Sequence, residues 1–183
     1  MYAIDADLTR WINSWVRLIP ALDTAIIWIS MTGVPVLVAA VAGQWWLRQS
    51  RPHTRHVLLA AGFSFLLGLA INQLVLLLIH RVRPYDAGIT NLIVERSTDP
   101  SFPSDHATAS MAIAAVFLVN GLRRRGLAFL AAAILVGFSR IYIGTHYVSD
   151  IAGGAITGMA AAFIVRHQYK EGTRIDRMLT NIL

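Results

Sequence analysis

Five apolar stretches, each about as long as a bilayer is thick, govern what this chain can fold into. Hydrocarbon offers backbone N–H and C=O groups no water, so a crossing segment must satisfy them internally or within a closed barrel. About 20 mostly apolar residues in helical form span a core of roughly 30 Å. The stretches run from about Asp23 to Leu47, His56 to His80, Ala107 to Leu122, Leu127 to Tyr142 and Val148 to Val165. Their length predicts an all-α integral membrane bundle of about five transmembrane helices. The third and fourth are short for a span and extend through the polar residues flanking them. Charged residues make up 14% of the chain, against roughly 25% in soluble domains.

The segment from Ile4 to Leu18 is of another kind. Ile4, Leu8, Trp11, Ile12 and Trp15 recur at helical spacing, with Asp5, Asp7, Thr9, Arg10 and Asn13 on the other side. That predicts an N-terminal amphipathic helix within residues 1–20, lying in the membrane interface, packed on the bundle, or both. Asp5 and Asp7 stand where a signal peptide would carry positive charge, so the spans are expected to insert without cleavage. Residues 1–183 then form a single membrane-embedded domain, with one long loop over 81–106 and a tail over 166–183.

Arginine placement orients the bundle. Arg48, Arg51 and Arg55 follow the first span, Arg123, Arg124 and Arg125 the third, and Arg166, Lys170, Arg174 and Arg177 the fifth. These regions share one side, with ten basic residues against two acidic, while the other side carries six basic and eight acidic. The basic side is expected to be cytoplasmic. The same distribution accounts for the net charge of +6 without a nucleic-acid partner, since the basic residues sit in the gaps between spans. With no cysteine, disulfides, thiolate nucleophiles and cysteine-based zinc sites are excluded.

Three polar clusters end apolar stretches on the opposite, outer side: Arg83-Pro84, Pro103-Ser104-Asp105-His106, and Ser139-Arg140 with His146 and Asp150. Ionisable groups facing lipid are costly, so these should face the bundle or water. His146 and Asp150 are four apart and would share a helix face, the carboxylate taking the proton of one ring nitrogen and freeing the other as a nucleophile. Arg140 and Arg83 present planar forks suited to phosphate oxygens. Ser104 has the look of a helix cap, with free N–H groups behind it that favour an anion. His106 could protonate a leaving oxygen. Taken singly, each has a plainer reading: a snorkelling anchor for Arg81 or Arg96, a cap for Ser104, an ion pair for Arg140 and Asp150. Their convergence on one side favours a phosphate-cleaving site.

The clusters resemble the signature of the type 2 phosphatidic acid phosphatase superfamily: Lys-x6-Arg-Pro, Pro-Ser-Gly-His, and Ser-Arg-x5-His-x3-Asp. Ser139, Arg140, His146 and Asp150 match the third part; Pro103, Ser104 and His106 the second; Arg83 and Pro84 the first. The resemblance implies a phosphohistidine formed on His146, Asp150 orienting that ring, and His106 as acid and then base. It implies phosphate held by Arg83, Arg140, Ser104 and Ser139, with no metal or cofactor. Two positions depart from the signature. Leu76 stands where the family lysine falls; Arg81 or His80 could replace it, whereas Asn72 and Gln73, a turn deeper, need an inward pocket. Asp105 replaces glycine; it would turn away, pair with Arg81 or Arg96, or hold a divalent cation. The Pro-Ser-Asp-His version and short chain resemble the bacterial undecaprenyl-diphosphatase branch, which recycles the cell-wall lipid carrier. That implies a polyprenyl diphosphate substrate, with the site on the outer face of the cytoplasmic membrane. Phosphatidylglycerophosphate and phosphatidic acid are the alternative substrates, and a non-enzymatic lipid transporter or binding protein is the more distant alternative.

Overall fold

The computed structural model describes residues 2–46 and 52–181. Among them lie seven α-helices and a short 3-10 turn, and no strand. The order is α1 (Tyr2–Asn13), α2 (Pro20–Gly43) with the 3-10 turn Gln44–Trp46, α3 (Pro52–Leu78), α4 (Asp105–Val119), α5 (Arg123–Tyr142), α6 (Val148–Gln168) and α7 (Arg174–Thr180). The expected residues Leu47, Arg48 and Arg51, and the last two of the tail, lie outside the described residues.

Four helices, α2 with its 3-10 extension, α3, α5 and α6, are long and apolar enough to cross a membrane; α4 is the fifth, shorter apolar helix. Its 15 residues rise about 22 Å. It can be short because ten of them are buried, and α3, α5 and α6 surround it. It meets protein over most of its length and need not match the hydrocarbon. Small residues bring the backbones together, as is common between membrane helices. A Cβ on Gly154 of α6 would lie 2.5 Å from the Ser104 carbonyl oxygen, and one on Gly158 2.5 Å from that of Thr108. On the other flank, a Cβ on Gly68 of α3 would meet the Thr108 methyl at 2.9 Å.

α1 docks on the motif end of the bundle by its polar side. Asn13 Nδ2 donates to the carbonyls of Tyr142 (2.7 Å) and Asn91 (3.0 Å), while its Oδ1 accepts from Asn91 N at 2.6 Å. Thr9 Oγ1 accepts from Val148 N at 3.2 Å. Ile4, Leu8, Trp11 and Trp15 remain exposed. At the other end, the tail folds back as α7. The Asp176 carboxylate accepts from Tyr169 Oη (2.6 Å) and Gly172 N (2.7 Å) and pairs with His56 Nδ1 at 2.8 Å.

The α3–α4 connection runs from Ile79 to Ser104, so Asp105 and His106, expected in the loop, open α4 instead. It is tied down rather than free. Ser101 N donates to the Arg81 carbonyl at 2.8 Å, and Tyr85 Oη to that of Ser97 at 2.8 Å. The α5–α6 turn passes beneath it through Gly144, whose φ of +88° lies in the region glycine favours. A Cβ there would also meet the Asn91 carbonyl at 2.8 Å.

Candidate active site

The connection, the start of α4, the end of α5 and the turn before α6 enclose a polar cavity of about 240 Å³. His106, His146, Arg83, Arg140 and Asp105 line it, together with Gln73 and Leu76 of α3 and Ser97 and Asp99 of the connection. Residues from all three clusters, Arg83 to His146 along the chain, therefore meet in one cavity.

His146 does not lie on a helix. Tyr147 is the N-cap of α6, so the ring projects from the turn before it. Its Nδ1 lies 2.8 Å from the Ser101 carbonyl oxygen. A carbonyl can only accept, so that contact places the ring proton on Nδ1 and leaves Nε2 with a free lone pair. The expected Asp150 contact is longer: Oδ2 is 3.6 Å from Nδ1. The tautomer is thus held chiefly by Ser101, and Asp150 acts on the ring by charge. Burial pushes the imidazole below its ordinary value; Arg140 and Arg83 add to this, and Asp150 opposes it.

Asp150 is fully buried and heavily engaged. Oδ1 pairs with Arg81 Nη1 at 2.6 Å; Oδ2 accepts from Ser101 Oγ at 2.5 Å and Tyr147 N at 2.8 Å.

The two cavity arginines are held from behind. Arg83 Nε donates to the Asp99 carbonyl at 2.8 Å, and Nη1 to that of Thr145 at 3.0 Å, which sets Nη1 3.4 Å from His146 Nε2. Arg140 Nη1 donates to Ser30 Oγ of α2 at 2.8 Å, and its buried Nε has no hydrogen-bond partner among the described residues. An unpartnered guanidinium N–H in a buried cavity favours an anion there.

Other expected positions fall elsewhere. Arg81 does not line the cavity; it is committed to Asp5, Ser149 and Asp150, with its guanidinium 3.9 Å over the Tyr147 ring. Ser139 is fully buried and its Oγ donates to the Val136 carbonyl at 2.6 Å. Ser104 is also fully buried and its hydroxyl faces Ala107 N at 3.5 Å, a cap rather than a cavity group. Asp105 pairs with neither Arg81 nor Arg96. Its Oδ1 accepts from Asn72 Nδ2 at 2.7 Å, while Arg96 pairs with Asp86. At the lysine position Leu76 lines the cavity beside Gln73, so an amide from the deeper turn reaches it after all.

Ser101, Asn72, Ser30 and Asp5 were not marked as site residues by the sequence. None belongs to a cluster, and each reaches its partner across tens of residues. The short polar interruption Asn72-Gln73 in an apolar span was the one signal available.

The arrangement can bind a phosphoryl group between two guanidinium groups, attack it with His146 Nε2, and protonate the departing oxygen from His106. A family model, the PAP2 superfamily, matches residues 57–174. Undecaprenyl-diphosphatase BcrC of Bacillus subtilis (strain 168) is 32% identical over 143 residues, 78% of this chain and 72% of that protein. Phosphatidylglycerophosphatase B of the same strain is 33% identical over 143 residues, 73% of this chain and 66% of that one. A solved structure, the transmembrane PAP2 type phosphatidylglycerolphosphate phosphatase from Bacillus subtilis, superposes with a TM-score of 0.66 at 26% identity. It covers 94% of this chain and 88% of that chain.

Proposed function

From a chain that belongs to the PAP2 superfamily, and is therefore a membrane-embedded hydrolase of lipid phosphates, we propose a diphosphatase that converts a polyprenyl diphosphate to its monophosphate. The observation that carries the chemistry is the meeting of His146, His106, Arg83 and Arg140 in one cavity. In the first step the Nε2 lone pair of His146 forms a P–N bond as the P–O bond to the leaving group breaks. For a monoester His106 starts protonated and gives its proton to that oxygen, for a diphosphate it starts and stays neutral, and Nδ1 keeps its own proton, donated to the Ser101 carbonyl. In the second step His106 accepts a proton from water, whose oxygen takes the phosphoryl group and returns His146 to its starting form. Arg83 and Arg140 oppose the charge gathering on the equatorial oxygens in both steps.

The likeness to the undecaprenyl-diphosphatase BcrC supports the diphosphate as substrate. The superposition on a phosphatidylglycerolphosphate phosphatase favours a second reading, a glycerophospholipid monoester. Phosphate release by detergent-purified protein from undecaprenyl diphosphate and from phosphatidylglycerophosphate separates the two. A preference of tenfold or more in kcat/KM for the diphosphate, about 1.4 kcal/mol, is expected; the reverse preference moves the protein into phospholipid synthesis.

We place the cavity on the outer face of the bacterial cytoplasmic membrane, because Arg123, Arg124, Arg125, Arg166 and Arg174 gather at the far end of the bundle. A cysteine introduced at Thr98 should react with a membrane-impermeant thiol reagent on intact cells, and one at Gly121 should not. Labelling at Gly121 alone would reverse the orientation.

A further inference from the structure

Arg81 joins two carboxylates that belong to different parts of the fold. Nη2 pairs with Asp5 Oδ2 of α1 at 2.6 Å and Nη1 with Asp150 Oδ1 of α6 at 2.6 Å. Ser149 closes the arrangement: its backbone N donates to Asp5 Oδ1 at 2.9 Å and its hydroxyl to Asp5 Oδ2 at 2.5 Å. The Asp5 and Arg81 side chains are only 13% and 21% exposed, so solvent screens this network weakly. Burial opposes the charge on Asp5, yet hydrogen bonds from Ser149 and Arg81 hold its carboxyl below the ordinary range. Burial likewise opposes the charge on Arg81, and Asp5 and Asp150 outweigh it. Asp5 and Arg81 therefore keep their charges.

Anchoring α1 does not require this ion pair, because Asn13 and Thr9 already bind that helix to the bundle. The ion pair has a different electrostatic effect. Asp150 lies 3.6 Å from the His146 ring, and Arg81 on its far side would cancel much of its charge. A second carboxylate on Arg81 leaves the trio with one net negative charge facing the histidine.

We propose that Asp5 is a positioning residue for phosphoryl transfer: acting through Arg81, it preserves the negative charge of Asp150 that steadies His146 as that ring becomes cationic. The kinetic part of this proposal rests on the phosphatase reading above; the titration part does not. Asp5 lies outside the cavity and touches no reacting atom, so it acts on the rate of phosphoryl transfer rather than on substrate capture.

The sign of the effect separates this role from a scaffolding one. Asp5→Asn makes the trio neutral and disfavours the imidazolium of His146. Arg81→Gln leaves two negative charges and favours it. The other charged or titratable groups around the ring are unchanged in both variants: Arg83, Asp99 and Asp105, with Arg140 from α5 and His106 from α4. The experiment is a pH titration of histidine ring nitrogens by NMR on detergent-purified protein, with His146 assigned from a His146→Gln sample. The pKa of His146 should fall by roughly one unit in Asp5→Asn, return in Asp5→Glu, and rise by roughly one unit in Arg81→Gln.

In parallel, Asp5→Asn should lower kcat roughly tenfold while KM stays within about twofold. An unmoved His146 titration in Asp5→Asn overturns the proposal, as do shifts of the same sign in both substitutions, or a raised KM with kcat intact. The Asp5→Asn and Asp5→Glu pair decides the matter alone if Arg81→Gln does not fold. If wild type releases no phosphate from either lipid, the phosphatase reading fails and the titration still decides the electrostatic link.

Discussion

His146→Ala should abolish turnover, with phosphate release from either lipid falling by about 10⁴-fold or more, some 5–6 kcal/mol of transition-state stabilisation. The magnitude follows from the geometry of the cavity. The Nε2 lone pair of His146 is unprotonated and preset, because the Ser101 carbonyl accepts a hydrogen bond from the other nitrogen at 2.8 Å. His106 lines the same cavity, but in the proposed mechanism it serves the leaving oxygen and water and does not replace the missing nucleophile. Arg83 and Arg140 still hold phosphate in the variant, which should bind product phosphate with near-normal affinity while failing to transfer it. Release above one part in a hundred of wild type, by folded protein, would exclude a covalent route through His146.

His106→Ala splits the two half-reactions, and the split depends on substrate. A glycerophospholipid monoester leaves as an alkoxide, which needs a proton in the transition state; loss of the acid should cost about 10²–10⁴-fold there. A diphosphate leaves as a phosphate, which is stable without one, so formation of the P–N bond should be nearly spared. Attack of water on the phosphohistidine still needs a base. Incubated with radiolabelled undecaprenyl diphosphate, the variant should therefore accumulate an acid-labile, alkali-stable phosphoprotein that wild type turns over. Near-wild-type turnover of both lipids would remove His106 from both steps, and equal loss with no phosphoprotein would refute the split.

The residues proposed to do the chemistry were legible because chemistry restricts residue type and the apolar background makes each polar group conspicuous. His146, His106, Arg83 and Arg140 stand out in that way, and the five apolar helices follow from length and composition. Groups that set the reacting ones in place were not legible, because their partners are chosen by packing. Ser30 lies 110 residues from Arg140 and Ser101 45 residues from His146, and no local pattern links either pair. Arg81 was misread for the same reason. A membrane-edge arginine two residues before Arg83 could point into the cavity or away from it, and the packing of α6 and α1, through Asp150 and Asp5, turns it away. The helical spacing of His146 and Asp150 suggested a direct contact, but α6 starts at Val148, which leaves Asp150 free to cap the turn and Ser101 to hold the ring.

The glycine clasp around α4 makes the chain's tolerance of mutation lopsided. At Gly154 and Gly158 the neighbour is backbone, which cannot shift aside for even one added carbon, so drift is barred at the helix that carries His106. α2 is less constrained: it packs mainly on α5, its one close glycine, Gly33, faces the Val136 side chain rather than backbone, and it touches the site through the Ser30 hydroxyl. Substitutions along the lipid-facing side of that outer helix should therefore cost the cavity little, whereas a single methyl added at Gly154 or Gly158 displaces the helix on which His106 stands.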